Sequence, residues 1–269
     1  MIDFKNKLSF IHIPKNAGTS VEVALGFKKL KGFSKHNPAY AHLGYWHPKV
    51  NHREYPFQTE GHRALRINNP PDPKLVSAFK DFHKFAIVRN PWDRLVSTWK
   101  YDTKFLESDY TTLVPNPYSK SSRAWVDRRR KFIRNFRDKN GSEFKDFVKN
   151  LSLTWFGAKG KRPYINIDEA KFPFVDFVPY RWIRWHRHSQ CTFVYGPNNK
   201  LLVDSILRME NLKDDWSDLM NKLNLDIELP HENSSSGKPY QDYYENSTMV
   251  DVVARRYVHD INLFNYTFM

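Results

Sequence analysis

One cysteine, Cys191, stands in 269 residues, so no intrachain disulfide can form, and nothing in the composition asks for an oxidising compartment. No apolar run approaches the ~20 residues that cross a bilayer. The first strand-like segment begins at about residue 8, which leaves no room for a signal peptide or an anchor. A cytoplasmic protein is therefore the expectation. Internal repeats and low-complexity tails are absent too. Acidic residues are in short supply, 29 against 43 Lys and Arg, for a formal net charge of +14. That surplus calls for an anionic partner, be it nucleic acid, acidic glycan, phosphorylated cofactor or membrane surface, without choosing among them. The histidines of 36–62 are irregularly spaced and the cysteine lies far off in sequence, so no metal site is expected.

What is present is a sharp change of character near the N-terminus. Ser9-Phe10-Ile11-His12-Ile13 is apolar and reads as a buried strand over 8–13, with His12 packed in it. It runs straight into Pro14-Lys15-Asn16-Ala17-Gly18-Thr19-Ser20. Val21, Ala24 and Leu25 then recur at helical spacing and predict a helix over about 18–28. The polar piece thus sits at a strand-to-helix turn, where the first N–H groups of the helix have no internal acceptor. Such turns bind anions. This is not a Walker A sequence, because Lys15 precedes Gly18 instead of following it. The ingredients are still those of phosphate chemistry: a lysine, a glycine for close backbone approach, two hydroxyls and a helix start. The bland alternative is that Thr19 or Ser20 only caps the helix and Lys15 is a surface charge.

A second apolar run, "HKFAIV" over 83–88, leads into "RNPWDRLVSTWKY". Pro91 suits a first helical turn, and Trp92, Leu95, Val96 and Trp99 make an apolar stripe. Ser97 projects away from that stripe. Further helices are predicted over about 121–138, 142–151, "DDWSDLMNKLNL" and 247–262. Strands are predicted for "QCTFVYG" and "KLLVDSILRME" around a Gly-Pro-Asn-Asn turn. Residues 31–60 read as irregular and 232–239 as a loop, while 155–185 match no element. Strands alternating with helices predict an α/β fold, a single domain over 1–269 with a mainly parallel central sheet flanked by helices. Ligands of such sheets sit at the carboxyl ends of strands. Arg89 with Ser97 therefore forms a second candidate phosphate site, able to converge with the first on a ligand with two separated anionic groups. Arg94 either joins it or pairs with Asp93 or solvent groups.

Strand–"PKNAGTS"–helix followed by "VRNPWDRLVSTW" resembles the sulfotransferase family, most closely the carbohydrate branch that includes the uronyl 2-O-sulfotransferases. "HRHSQCTFVYG", "LLVDSILRMENLKDDW" and the tail "YYENSTMVDVVARRYVHDINLFNYTF" are similar to that branch's middle segment and C-terminal helix. The likeness spans most of the chain and is weakest at 105–180. It implies a P-loop nucleoside-triphosphate-hydrolase-like sulfotransferase fold. The implied donor is 3′-phosphoadenosine 5′-phosphosulfate (PAPS), which leaves as 3′-phosphoadenosine 5′-phosphate (PAP). By similarity, Lys15, Asn16, Ala17, Gly18, Thr19 and Ser20 hold the 5′-phosphosulfate, and Arg89 with Ser97 the 3′-phosphate. Ser235, Ser236 and Lys238 in "NSSSGKPY" match a late loop over the nucleotide.

Sulfuryl transfer asks the protein mostly for positioning and charge stabilisation. Lys15 suits the charge growing on the bridging oxygen, and an acceptor hydroxyl needs a general base. His62, in "TEGHRALRI", matches a Gly-His segment of related 2-O-sulfotransferases. Glu60, on the same side of an extended segment, is the alternative. His186, His188 and Gln190 are candidate acceptor contacts. The expected acceptor is a hydroxyl on a carbohydrate, and the basic surplus points to an acidic one. The segment with Arg128, Arg129, Arg130, Lys131, Arg134 and Arg137 is either the solvated face of an amphipathic helix or a rim that recruits this acceptor. Two other classes stay open. A nucleotide or small-molecule kinase would depend on Mg²⁺, and the sequence lacks a clear acidic pair for it. A basic nucleic-acid-binding module would use the 128–137 segment, but no helix-turn-helix or RNA-binding aromatic signature supports it. No nucleic acid and no membrane span is expected, and sulfuryl transfer needs no metal.

Overall fold

The computed structural model describes residues 2–26, 81–109, 120–149, 189–195, 201–230 and 238–269. Its sheet has the order β1-β2-β3-β4. β2 (Leu8–Ile11), β3 (His83–Val88) and β4 (Ser205–Arg208) are parallel, with Leu8 opposite His83 and Phe85 opposite Ser205. The mixed α/β architecture with a parallel core is the one the alternation of segments predicts. β1 (Ile2–Asp3) adds an antiparallel edge through Ile2 opposite Ser9. The sequence pattern did not predict it, because so short a strand carries no periodicity.

Phe85 to Val88 of β3 are all fully buried, as a central parallel strand covered on both faces requires. Phe10 stacks on Phe85 with centroids 5.0 Å apart, and Trp216 meets Phe85 edge-on at 5.8 Å. Val21 of α1 (Gly18–Ala24) and Leu219 and Met220 of the Leu212–Lys222 helix complete this core. α1 closes on Gly26, whose φ of +71° suits a residue without Cβ just past a helix end.

Contacts divide the described residues into two compact units: 2–26, 81–89, 189–195 and 201–230 in one, and 90–109, 120–149 and 238–269 in the other. The second is built on α2 (Pro91–Glu107). Asn90 caps α2 by accepting from the Trp92 N–H at 3.1 Å, and its amide donates to the Thr267 carbonyl at 2.9 Å. Trp92, Leu95 and Val96 are buried as the stripe predicts, and Trp99 packs edge-on against Phe144 and Tyr243. Arg94 is only 2% exposed, so pairing with solvent groups is ruled out for it. The Tyr244 hydroxyl donates to the Trp92 carbonyl at 3.0 Å. Burial, helped by Tyr257, Asp93 and Tyr240, pushes its ionisation above the ordinary tyrosine range.

The basic segment is a helix, α3 (Lys120–Asn140). It buries Val126 and Ile133, and turns Arg130 onto the Ser108 carbonyl and Arg137 onto the Thr103 hydroxyl. Arg123, Lys131, Arg134 and Lys139 stay exposed. Three expectations need correction. "QCTFVYG" starts as a helical turn, α4 (Cys191–Val194), with Tyr195 making one isolated bridge to Leu201. "KLLVDSILRME" is strand only over Ser205–Arg208 and then turns into a 3₁₀ helix at Met209–Asn211. Short apolar runs fit a buried strand or a buried helical turn equally well. The helix expected over 247–262 is broken into Ser247–Arg256 and Val258–Phe264 at Tyr257, whose φ is −117° and whose ring is buried. Residues 144–149 are helical within the expected 142–151. The expectations for 31–60 and 155–185 fall outside the described residues. Among the described residues, no helix is long and apolar enough to cross a membrane.

At the amino end of β3, the His83 imidazole hydrogen-bonds the Ser205 hydroxyl of β4 at 2.9 Å. Burial lowers the His83 pKa; Asp204 pulls it up, and Lys222 and Lys84 lower it further. Burial pushes the Asp204 carboxyl up, but the backbone and side-chain hydrogen bonds from Lys84, with its charge, outweigh that and hold it low. A histidine held below its ordinary value takes up a proton more readily when unfolded, so acidification favours unfolding. Urea-unfolding stability should therefore fall between about pH 7 and pH 5, and His83→Gln should flatten part of that slope. An unchanged slope in the variant would refute the assignment. The Asp204 contribution should disappear only at lower pH, as the medium passes its own depressed value.

Candidate functional site

The turn after β2 is held by a buried amide network. Asn16 and Gln190 are both 0% exposed. The Asn16 amide donates to the Ile87 carbonyl of β3 at 2.7 Å and to Gln190 Oε1 at 2.6 Å. Gln190 Oε1 also accepts from the Arg89 N–H at 2.9 Å, while its Nε2 donates to the Arg89 carbonyl at 2.7 Å. The Gln190 side chain thus forms the next rung of the β3 ladder where the sheet itself has ended. A turn emerging from β2 is thereby fastened to the carboxyl end of β3.

Within that frame the turn adopts an unusual path. Lys15 has φ +72° and Ala17 φ +53°, both in the left-handed region. For residues with a Cβ this costs roughly 1–3 kcal/mol each, and it persists only where the surroundings enforce it. Asn16, between them, is the enforcing anchor. The Arg89 guanidinium reaches back from the end of β3 and donates from Nη1 to the Lys15 carbonyl at 3.1 Å. The Lys15 side chain itself is half-buried. Ala17, and not Thr19 or Ser20, is the residue that opens α1, and it makes no side-chain cap. The reading of Thr19 or Ser20 as a plain cap is thus corrected. The Val21 N–H is the first to close on the helix, bonding the Ala17 carbonyl at 3.2 Å, which leaves those of Gly18, Thr19 and Ser20 outside the helical ladder. A lysine, an arginine and these N–H groups meet at two adjacent strand ends, an arrangement suited to an anion.

His12 lies just past β2, at the foot of the turn. Its ring stacks on Phe10 at 5.7 Å, and its Nδ1 lies 3.5 Å from the Glu22 carboxylate of α1. It is packed, as its apolar neighbours predict.

The other expected residues are distributed as follows. Gln190, expected to contact the acceptor, is instead a buried part of the frame, because every amide contact described above points inward. Ser97 lies half-buried on α2, in the second unit; Lys238 belongs to the same unit and is exposed. The Lys238 Nζ donates to the Asp242 carbonyl at 2.9 Å and lies 4.5 Å from the Tyr243 ring centre, a ring that Lys100 also approaches at 4.9 Å. His62, Glu60, His186, His188, Ser235 and Ser236 lie outside the described residues. The roles of Asn16 and Gln190 as anchors had no local signal, since the Gln190–Arg89 bonds join positions 101 residues apart. Asn90 had one, a capping residue directly before a helix-opening proline.

Gln190→Ala would leave the Asn16 amide and the Arg89 backbone groups buried without these partners. The expected loss is about 2–4 kcal/mol of unfolding free energy, measured by urea titration of the full chain. A loss within the range of an ordinary surface substitution would show that the network does not hold the turn.

The sulfotransferase family model matches residues 1–267. No curated protein and no solved structure matches the chain. The match takes in the β2 turn, Arg89, α2 and the C-terminal helices together, and with the parallel sheet and the cationic strand ends it establishes that the chain belongs to the sulfotransferase family and is an enzyme of sulfuryl transfer.

Proposed function

We propose that the enzyme takes its sulfuryl group from PAPS and delivers it to a hydroxyl of a carbohydrate acceptor, in the manner of the uronyl 2-O-sulfotransferase branch that its motifs resemble. The observation that carries this reading is the Lys15–Ser20 turn, held in a left-handed path at the carboxyl end of β2 with the Arg89 guanidinium against it. The donor set fits the group. Lys15, the Thr19 and Ser20 hydroxyls and the helix-start N–H groups suit a phosphosulfate. Arg89, with Ser97, suits a second phosphate, and Ser235 and Lys238 the closing loop. When bound, the donor supplies an activated sulfuryl group on a phosphate oxygen.

The chain's own residues do the rest. With the donor held there, transfer would exchange the bond from sulfur to that phosphate oxygen for one to the acceptor oxygen. Lys15 stabilises the negative charge left on the departing oxygen. His62 removes the acceptor proton, with Glu60 as the alternative base. His186 and His188 contact the acceptor. The exposed Arg123, Lys131, Arg134 and Lys139 of α3 favour an acidic acceptor, because fixed cations concentrate anions near the surface.

An acceptor screen with labelled PAPS tests the whole reading. Lys15→Ala should lower kcat by about 10²–10³-fold, in line with loss of a group that stabilises developing charge. Full activity in that variant would remove the central assignment. In His62→Ala, turnover should fall by roughly 10²–10⁴-fold while PAP affinity, read by calorimetry, stays near wild type. Loss of PAP affinity there would move His62 to the nucleotide pocket. Arg89→Ala should weaken PAP by about 10–100-fold, as expected for a lost charge-assisted contact. Turnover should persist in EDTA, whereas a kinase would stop.

A further inference from the structure

His12 touches the turn in a way that neither the anion site nor the core packing requires. Gly18 and Glu22 stand four positions apart on α1, so they share one face of the helix. The His12 imidazole lies along that face. Its Nδ1 meets the Glu22 carboxylate at 3.5 Å, and its Nε2 end fills the space beside Gly18, where a Cβ would overlap the ring. The far side of the ring is set by Phe10, with the planes inclined by only 17°. The ring is therefore clamped between the end of β2 and the first turn of α1.

We propose that His12 is a positioning residue for donor binding: wedged against Gly18 and facing the Glu22 carboxylate, it fixes α1 relative to β2 and thereby holds the intervening turn in its anion-binding shape. Gly18 is glycine to admit this ring. The close backbone approach of an anion, the reason expected from the sequence, is not what fills the space at that position. The segment from His12 to Gly18 contains both left-handed residues, Lys15 and Ala17. Its two ends must be fixed for that path to hold. Asn16 and Arg89 fix the middle, and His12 fixes the ends to each other. The proposal deepens the donor-binding reading given above and rests on it.

The test is a double-mutant cycle at positions 12 and 18, read as PAP affinity by calorimetry, with thermal melting of the full chain alongside. Gly18→Ala should weaken PAP by about tenfold or more, because the new methyl displaces the ring. His12→Ala should weaken it several-fold. Adding His12→Ala to Gly18→Ala should restore affinity by roughly fivefold over Gly18→Ala alone, since the clash is gone. A glycine required only for close approach of the anion would leave the double variant at least as weak as Gly18→Ala. That result, or losses that simply multiply, would overturn the proposal. If Gly18→Ala does not fold, recovery of a cooperative melt in the double variant supports the proposal in the same way, and failure to recover it overturns the proposal. Wild-type protein that ignores PAP would instead sink the donor assignment and this inference with it, whereas wild-type binding with independent losses would sink this inference alone.

Discussion

The buried amide of Gln190 is the interaction on which the working end of the sheet depends. Parallel strands end in open ladders, and the groups beyond the last rung must find partners or face the cost of burial without them. Gln190 supplies that rung to Arg89 and at the same moment accepts from Asn16. One side chain thereby settles the exit of β3 and the exit of β2 together. A charged residue in its place would need a counter-charge, and a hydroxyl would reach fewer partners. An amide, with a donor and an acceptor side by side, matches a backbone edge.

From this anchor the rest of the site follows. With Asn16 pulled inward, the residues on either side are forced into the left-handed region, and neither is glycine. That path turns the Lys15 carbonyl to Arg89 and starts α1 without a side-chain cap. The strain is held by the buried Asn16 and Gln190 amides and by the Arg89 guanidinium against the Lys15 carbonyl. The outcome is a short cationic cradle built on rigid strand ends, which suits an enzyme of sulfuryl transfer, a chemistry that rests mainly on positioning.

The second unit solves a different problem with different means. α2 carries a wide apolar face, and its start is secured by Asn90, which caps the helix and also holds the C-terminal segment through the Thr267 carbonyl. Phe268 then packs edge-on against Trp92, Tyr240 and Tyr244. α3 shows how a strongly basic helix can serve two ends. Arg130 and Arg137 tie it to the α2 side, whereas the cations on its outer face remain exposed. Composition alone could not separate these two groups of arginines.

Sequence by itself determined the strand "HKFAIV", the helix that opens at Pro91, the parallel α/β pattern and the polar turn at Lys15–Ser20, because each rests on local spacing, a breaker residue or an apolar run that any fold must bury. It erred at "QCTFVYG" and at Tyr257, where a few apolar residues fit helix and strand alike and only their neighbours choose. Tertiary structure alone decided that Gln190 is a buried anchor, that Arg94 is buried, and that Gly18 faces a histidine. These depend on groups brought together from distant parts of the chain. A buried hydrogen bond or a filled space leaves no periodicity behind it, so no reading of neighbours in sequence could have found them.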